Sequence, residues 1–122
     1  MSRDIMPKSP KISNRVIRRY AELQREMQQL GLVRPGSLVR RFMPCGNPAC
    51  RCMATPPVLH GPYYQWTHKY AGKTKTVRLS PEQAKVCKQW TENHKRLKRI
   101  LRQMEQLSLK ETDRILGAIS RS

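Results

Sequence analysis

The chain has 122 residues, with 25 Lys or Arg against 8 Asp or Glu and a formal net charge of +17. That length holds one domain with a modest core, so an added stabilising device would be useful, and self-repulsion on this scale favours a polyanionic partner, of which nucleic acid is the commonest. No apolar run resembles a secretory signal or a membrane span, and neither a lipidation signal nor an amphipathic helix with exposed bulky apolar residues is evident, so the expected setting is the cytoplasm without membrane contact.

In chain order, residues 1–12 hold Pro7, Pro10 and three basic residues and read as a flexible basic arm. Residues 13–122 are expected to form a single domain. Val16, Tyr20, Leu23, Met27 and Leu30 recur at steps of four and three, which puts them on one helix face, with Gly31 as the stop. Residues 36–43, after the Pro35-Gly36 turn signal, read as a short strand that Pro44 closes. Residues 63–70, opened by Gly61-Pro62, are aromatic and β-branched, and residues 75–79 alternate polar with apolar. The two are expected to pair through Ala71-Gly72-Lys73 as a hairpin whose tip carries Lys69, Lys73 and Lys75.

Ser80-Pro81-Glu82-Gln83 is a helix start, with Ser80 as the N-cap and Gln83 completing a capping box. Val86, Trp90, Asn93, Leu97, Ile100, Met104 and Leu107 then form a coiled-coil-like heptad seam of about three heptads. The first helix has the matching period, so an antiparallel pair within the chain or a dimer across chains would bury both seams. Leu109 to Ile119 reads as a further short helix. The expected fold is α+β: two long helices packed as an antiparallel pair flanking a small antiparallel sheet, with a Cys/His metal loop.

The most specific feature is Cys45-Gly46-Asn47-Pro48-Ala49-Cys50-Arg51-Cys52, followed after seven residues by His60. Three thiols and an imidazole complete a tetrahedral set for zinc, and Gly46-Asn47-Pro48 supplies the tight turn that brings thiolates round one ion. A closed four-ligand site is structural and leaves no position for substrate water. Two disulfides are the competing use of four cysteines, disfavoured by a reducing compartment and by the cramped Cys50-Arg51-Cys52 spacing. Redox-active thiols are a third. His68 and His94 read as surface histidines, and Cys87 as a small buried hydrophobe.

Between Arg34 and Arg102 stand fifteen Lys or Arg against Glu82 and Glu92 alone. The expected nucleic-acid surface joins Arg40 and Arg41 on the first strand, Arg51 in the cysteine loop, Lys69, Lys73, Lys75 and Arg78 on the hairpin, and Lys95 and Arg99 on the second helix, as point charges or forks for phosphate. Tyr63, Tyr64, Trp66 and Tyr70 could stack on unpaired bases, although alternate members of that set must face the core.

Pro35-Gly36-Ser37, the block from Cys45 to Cys52, His60 to Tyr64, Gly72-Lys73 and Asn93 together resemble a family of short uncharacterised prokaryotic and phage proteins, over about three fifths of the chain. The resemblance implies an intact motif and a phage or mobile-element setting, and it supplies no activity. In pattern alone, Tyr63 through Lys85 is similar to the sheet-and-helix units of phage-type integrase arm-binding domains and plant AP2-type domains, which implies that Lys69, Lys73, Lys75 and Arg78 contact duplex DNA.

The leading expectation is a zinc-stabilised nucleic-acid-binding accessory or regulatory protein, DNA before RNA because a hairpin offers a ribbon for a groove. The alternative is an interaction protein that docks a partner through its heptad helices. An enzyme is not expected, since the basic segment holds no paired carboxylates and no Gly-rich phosphate cradle.

Overall fold

The computed structural model describes residues 11–119. The elements run α1 (Asn14–Gln28), β1 (Ser37–Met43), a 3-10 turn (Arg51–Met53), β2 (His60–Tyr70), β3 (Lys73–Leu79) and α2 (Pro81–Ala118). The class is α+β, with two α-helices and one antiparallel sheet in the order β1-β2-β3 among the described residues. Among the described residues two compact units result, one from residues 11–30 together with 97–119, the other from Gly31–Arg96, and α2 contributes to both. The arm expected over residues 1–12 lies, up to Pro10, outside the described residues.

In the helical unit, α1 buries Val16 and Leu23 while Tyr20, Met27 and Leu30 are half-buried, the face its periodicity marks out. The helix stops at Gln28, three residues before Gly31, because the Gln29 and Leu30 amides close the last turn onto the Glu26 and Met27 carbonyls, both at 3.2 Å. Ser13 donates its N–H to Glu111 at 2.7 Å, and Arg19 donates to the Gln103 side chain at 3.1 Å. Partners on α2 therefore descend in number as those on α1 ascend. Glu111 is buried and takes a two-pronged ion pair from Arg114 at 2.9 Å. That pairing, aided by the Ser13 amide, holds its carboxyl down at about 2.

In the sheet unit, Ser80 and Gln83 make both bonds of the expected capping box, 2.8 and 3.1 Å, and start α2. Cross-strand partners share a face. Leu38, Arg40, Tyr64, Trp66, His68, Tyr70, Lys73, Lys75, Val77 and Leu79 occupy one, and Val39, Arg41, Tyr63, Gln65, Thr67, Lys69, Thr74, Thr76 and Arg78 occupy the other. The first α2 turns cover the former, where Leu38, Arg40 and Tyr64 meet Pro81, Ala84, Lys85 and Lys88 around one cavity. Trp66, Ala84, Cys87 and Thr91 are buried, so Cys87 packs as a small hydrophobe. Trp66 donates its indole N–H to the Pro35 carbonyl at 2.8 Å and lies 3.8 Å beneath the Arg34 guanidinium. The Asn93 amide donates to the Leu32 carbonyl at 2.9 Å, and the Arg34 amide donates to the Trp90 carbonyl at 3.1 Å.

Several expectations are corrected. Val86 is 44% exposed rather than part of the seam, because α2 buries Ala84, Cys87 and Thr91, and a side chain two or one positions away points elsewhere on a helix. Leu109 to Ile119 continues α2 through Ala118 instead of starting a new helix, since no Gly or Pro breaks the chain between Ser80 and Gly117 apart from Pro81. The hairpin turn is Ala71-Gly72, both with positive φ, and Lys73 already belongs to β3. Two positive-φ residues match the right-handed strand twist. β2 begins at His60, so Gly61-Pro62 lies within the strand rather than before it.

Candidate functional site

The loop between β1 and β2 begins where Met43 pairs with His60, so strand pairing brings its two ends together before any side chain acts. Gly61 permits this closeness: a Cβ there would stand 2.7 Å from the Arg41 carbonyl, with φ at +142°. Within the loop, Gly46 has φ +84°, the Asn47 carboxamide accepts from the Ala49 amide at 3.0 Å, and the Asn47 carbonyl accepts from the Cys50 amide at 3.0 Å. Asn side chains fold back on the backbone in this way in tight turns. The Cys50 carbonyl then accepts from Met53, and the Arg51 carbonyl from Ala54 and Val58. The role of Arg51 within the loop is thus carried by its backbone, while its side chain is exposed.

The result gathers Cys45, Cys50, Cys52 and His60, whose ligand atoms all lie within 4.8 Å of one another. The Cys45 and Cys52 sulfurs are 3.5 Å apart, and the Cys50 sulfur is 3.1 Å from His60 Nε2. All four cysteines of the chain are free thiols, which sets aside the disulfide alternative. Sulfurs around a tetrahedral four-coordinate ion stand about 3.8 Å apart, so this donor set fits a metal ion with small adjustment. Cys52 is 2% exposed and Cys45 is exposed, which leaves the ring open on one side.

The electrostatics are uneven across the ring. The Cys52 amide, then the Cys52 thiol, His60 and Cys45, lower the Cys50 thiol to about 6 from the ordinary 9.0. For Cys52 the Cys45 amide pulls downward, yet burial and the neighbouring thiols outweigh it and the thiol is raised. Such a ring can hold a soft or borderline cation through deprotonated sulfur. A family model described as a domain of unknown function (DUF6788) matches residues 13–89.

The chain belongs to the DUF6788 family. The matched span holds α1, the whole sheet, all four cluster residues and the first turns of α2. It opens earlier than Pro35, where the motif resemblance begins, and ends before Asn93. No curated protein and no solved structure matches the chain.

In this DUF6788 chain the pleat separates several of the basic residues that the sequence groups together. Arg41, Lys69 and Arg78 share one sheet face, whereas Arg40, Lys73 and Lys75 share the other. Lys95 belongs to the sheet unit and Arg99 to the helical unit. The aromatic set divides likewise: Tyr64, Trp66 and Tyr70 lie on the helix-covered face and Tyr63 on the opposite one. Tyr63 itself is topped by the Arg78 guanidinium, 4.3 Å from the ring centre. His68 is half-buried with its ring 5.8 Å from that of Trp66, and His94 is half-buried too. Neither is a free surface histidine, and neither joins the cluster.

Proposed function

We propose that this protein is a zinc-stabilised nucleic-acid-binding accessory or regulatory protein, with DNA favoured over RNA. The observation that carries the reading is the charge of the sheet unit. Gly31–Arg96 contains twelve Lys or Arg against Glu82 and Glu92, ten of the net +17, and the cluster that would clamp its longest loop lies in the same unit. Acidic residues concentrate instead on the helical unit, at Glu22, Glu26, Glu105, Glu111 and Asp113. A merely soluble surface interleaves both signs, whereas an excess of one sign on one unit suits phosphate.

Zinc is the ion proposed, held by Cys45, Cys50, Cys52 and His60, because three thiolates and one imidazole make a closed tetrahedral set of suitable softness. Its work would be structural: fixing the β1–β2 loop that a small unit lacks the core to fix. Elemental analysis of untagged protein should give about one zinc per chain, and titration with labelled duplex, single-stranded DNA and RNA at low salt should give binding that salt weakens. Substoichiometric metal with melting indifferent to chelation overturns the zinc; no binding to any of the three overturns the nucleic acid.

A second reading has its own observation. Ile12, Val16, Ile17, Tyr20, Ala21 and Ile115 line an apolar cavity of about 320 Å³ within the helical unit, and Ile17 is 50% exposed. On that reading the helices dock a protein, a second copy of the chain being the first to test. Mass in solution with and without nucleic acid separates the two readings.

A further inference from the structure

The helix-free face of the sheet combines three features. Arg41, Lys69 and Arg78 are all exposed there, and among the described residues none of them is in an ion pair. No strand carries an acidic residue, since Glu82 and Glu92 both sit on α2. Between the cations stand Gln65, Thr67, Thr74 and Thr76, short hydrogen-bonding side chains with little apolar bulk. Resting on the nucleic-acid reading above, we propose that this face, and not the hairpin's other face, receives duplex DNA in its major groove.

The dimensions support it. Arg41 and Arg78 are on the outer strands, opposite Tyr63 and Gln65 respectively, so they are two strand spacings apart and offset by two residues. At about 4.8 Å per strand and 3.4 Å per residue their Cα atoms are separated by about 12 Å, close to the roughly 12 Å width of the major groove. Lys69 lies four residues beyond Gln65 on the central strand, about 14 Å along the face, and so follows the backbone further. Gln65, on the central strand between the two arginines, offers a carboxamide, the group that pairs in two-pronged fashion with the adenine edge.

The Arg78 guanidinium is already ordered by its stack on Tyr63, which leaves its N–H edges for a phosphate or a guanine and reduces the entropy lost on binding. The same stack removes Tyr63 as a platform for unpaired bases, while Trp66 is buried on the opposite face. A single strand would need exposed aromatic faces along its path. Duplex RNA hides its base edges in a major groove too deep and narrow for side chains. The face therefore favours duplex DNA.

Two experiments on the full chain test the proposal. In the first, anisotropy titrations with a labelled 20–30 base-pair duplex across a salt series compare Arg41→Ala/Lys69→Ala/Arg78→Ala with Arg40→Ala/Lys73→Ala/Lys75→Ala, which remove equal charge. Each phosphate that is no longer neutralised should flatten the logarithmic salt slope by about 0.9, so the first triple should flatten it by about 2.7 and the second by less than one. In the second, wild-type protein is acylated with and without duplex, and the lysines are read by mass spectrometry. Duplex should protect Lys69 while Lys73 and Lys75 remain reactive; this readout needs no variant to fold. A larger effect from the second triple, or equal protection of the three lysines, overturns the face and leaves the nucleic-acid reading intact. Tighter binding to single strands or to duplex RNA overturns the duplex DNA assignment, and absence of binding to every nucleic acid overturns both proposals.

Discussion

Leu23 is the one large side chain among the described residues with no exposure at all, and its truncation measures what holds the helical unit together. Leu23→Ala removes three carbons, about 2.4 kcal/mol of transfer free energy at roughly 0.8 kcal/mol per methylene. A residual cavity adds to that loss, but the groove beside Leu23 is lined by Arg19, Gln103 and Leu107, whose side chains can settle inward. The cost should therefore be about 3 kcal/mol, in the lower part of the usual range of about 2–5 for such a change. With an unfolding entropy of about 2.1 cal/mol/K per residue over this length, the melting temperature should fall by about 12 °C. Thermal melts by far-ultraviolet circular dichroism are the assay, with tryptophan fluorescence alongside, because Trp66 and Trp90 both report the sheet unit. Val86→Ala is the control. Val86 has the sequence spacing of the seam but is 44% exposed, so its truncation should stay within about 0.5 kcal/mol. If Leu23→Ala melts within 2 °C of wild type by a ~12 °C expectation, or if Val86→Ala costs as much, the assignment of the buried face is refuted.

Glu111, held at about 2 by Arg114 and the Ser13 amide, has a folded pKa below its unfolded one; its contribution is complete above about 4.5 and is lost as pH falls through about 2. Glu111→Gln should accordingly lower stability at pH 7 and shallow the acid limb of the stability curve in that window, as denaturant titrations at several pH values would record. Gly36→Ala should cost about 3 kcal/mol or more, because φ is +108° and the added carbon would stand 2.6 Å from Trp66 Nε1; normal expression with an unchanged melt would contradict it. Chelation of the purified protein, or Cys52→Ser, should lower both metal content and melting temperature, whereas Cys87→Ala should leave the metal content unchanged, since Cys87 is buried beside the sheet and outside the cluster. Equal metal loss in both variants would remove Cys52 from the ligand set.

The parts of this molecule that were legible in its sequence are those that depend on near neighbours. The capping box closes over four consecutive residues and the α1 face repeats every three or four, so each is written where it acts; the place of the hairpin turn was legible but not its length, since Lys73 suits either turn or strand. The cluster was legible for a related reason: Cys45, Cys50 and Cys52 fall within one loop, and only His60 requires the β1–β2 pairing to arrive. Where α2 turns its buried side was harder. Val86 and Cys87 are adjacent and both apolar, and the alternating steps through Trp90, Leu97, Ile100 and Leu107 count back to Val86 rather than to the buried Cys87. The decision rests with Trp66, a residue twenty positions earlier, because what α2 covers in the sheet unit is the Trp66 face.

The same non-local dependence explains why the basic residues were legible as a set and not as a surface. Lys69, Lys73, Lys75 and Arg78 lie within ten positions, and charge alone groups them. The two-residue turn at Ala71-Gly72 sets Tyr70 opposite Lys73 and Lys69 opposite Thr74. Had the turn been one residue longer, with Lys73 in it as its composition allowed, pairing would have shifted by one and every β3 side chain would have exchanged faces. Lys75 would then have joined Lys69, and Arg78 would have faced the helix opposite Trp66. The positive φ of Ala71 and Gly72 therefore decides more than the shape of a turn: it fixes which cations stand together on the helix-free face, and hence which substitutions can discriminate between one binding face and the other.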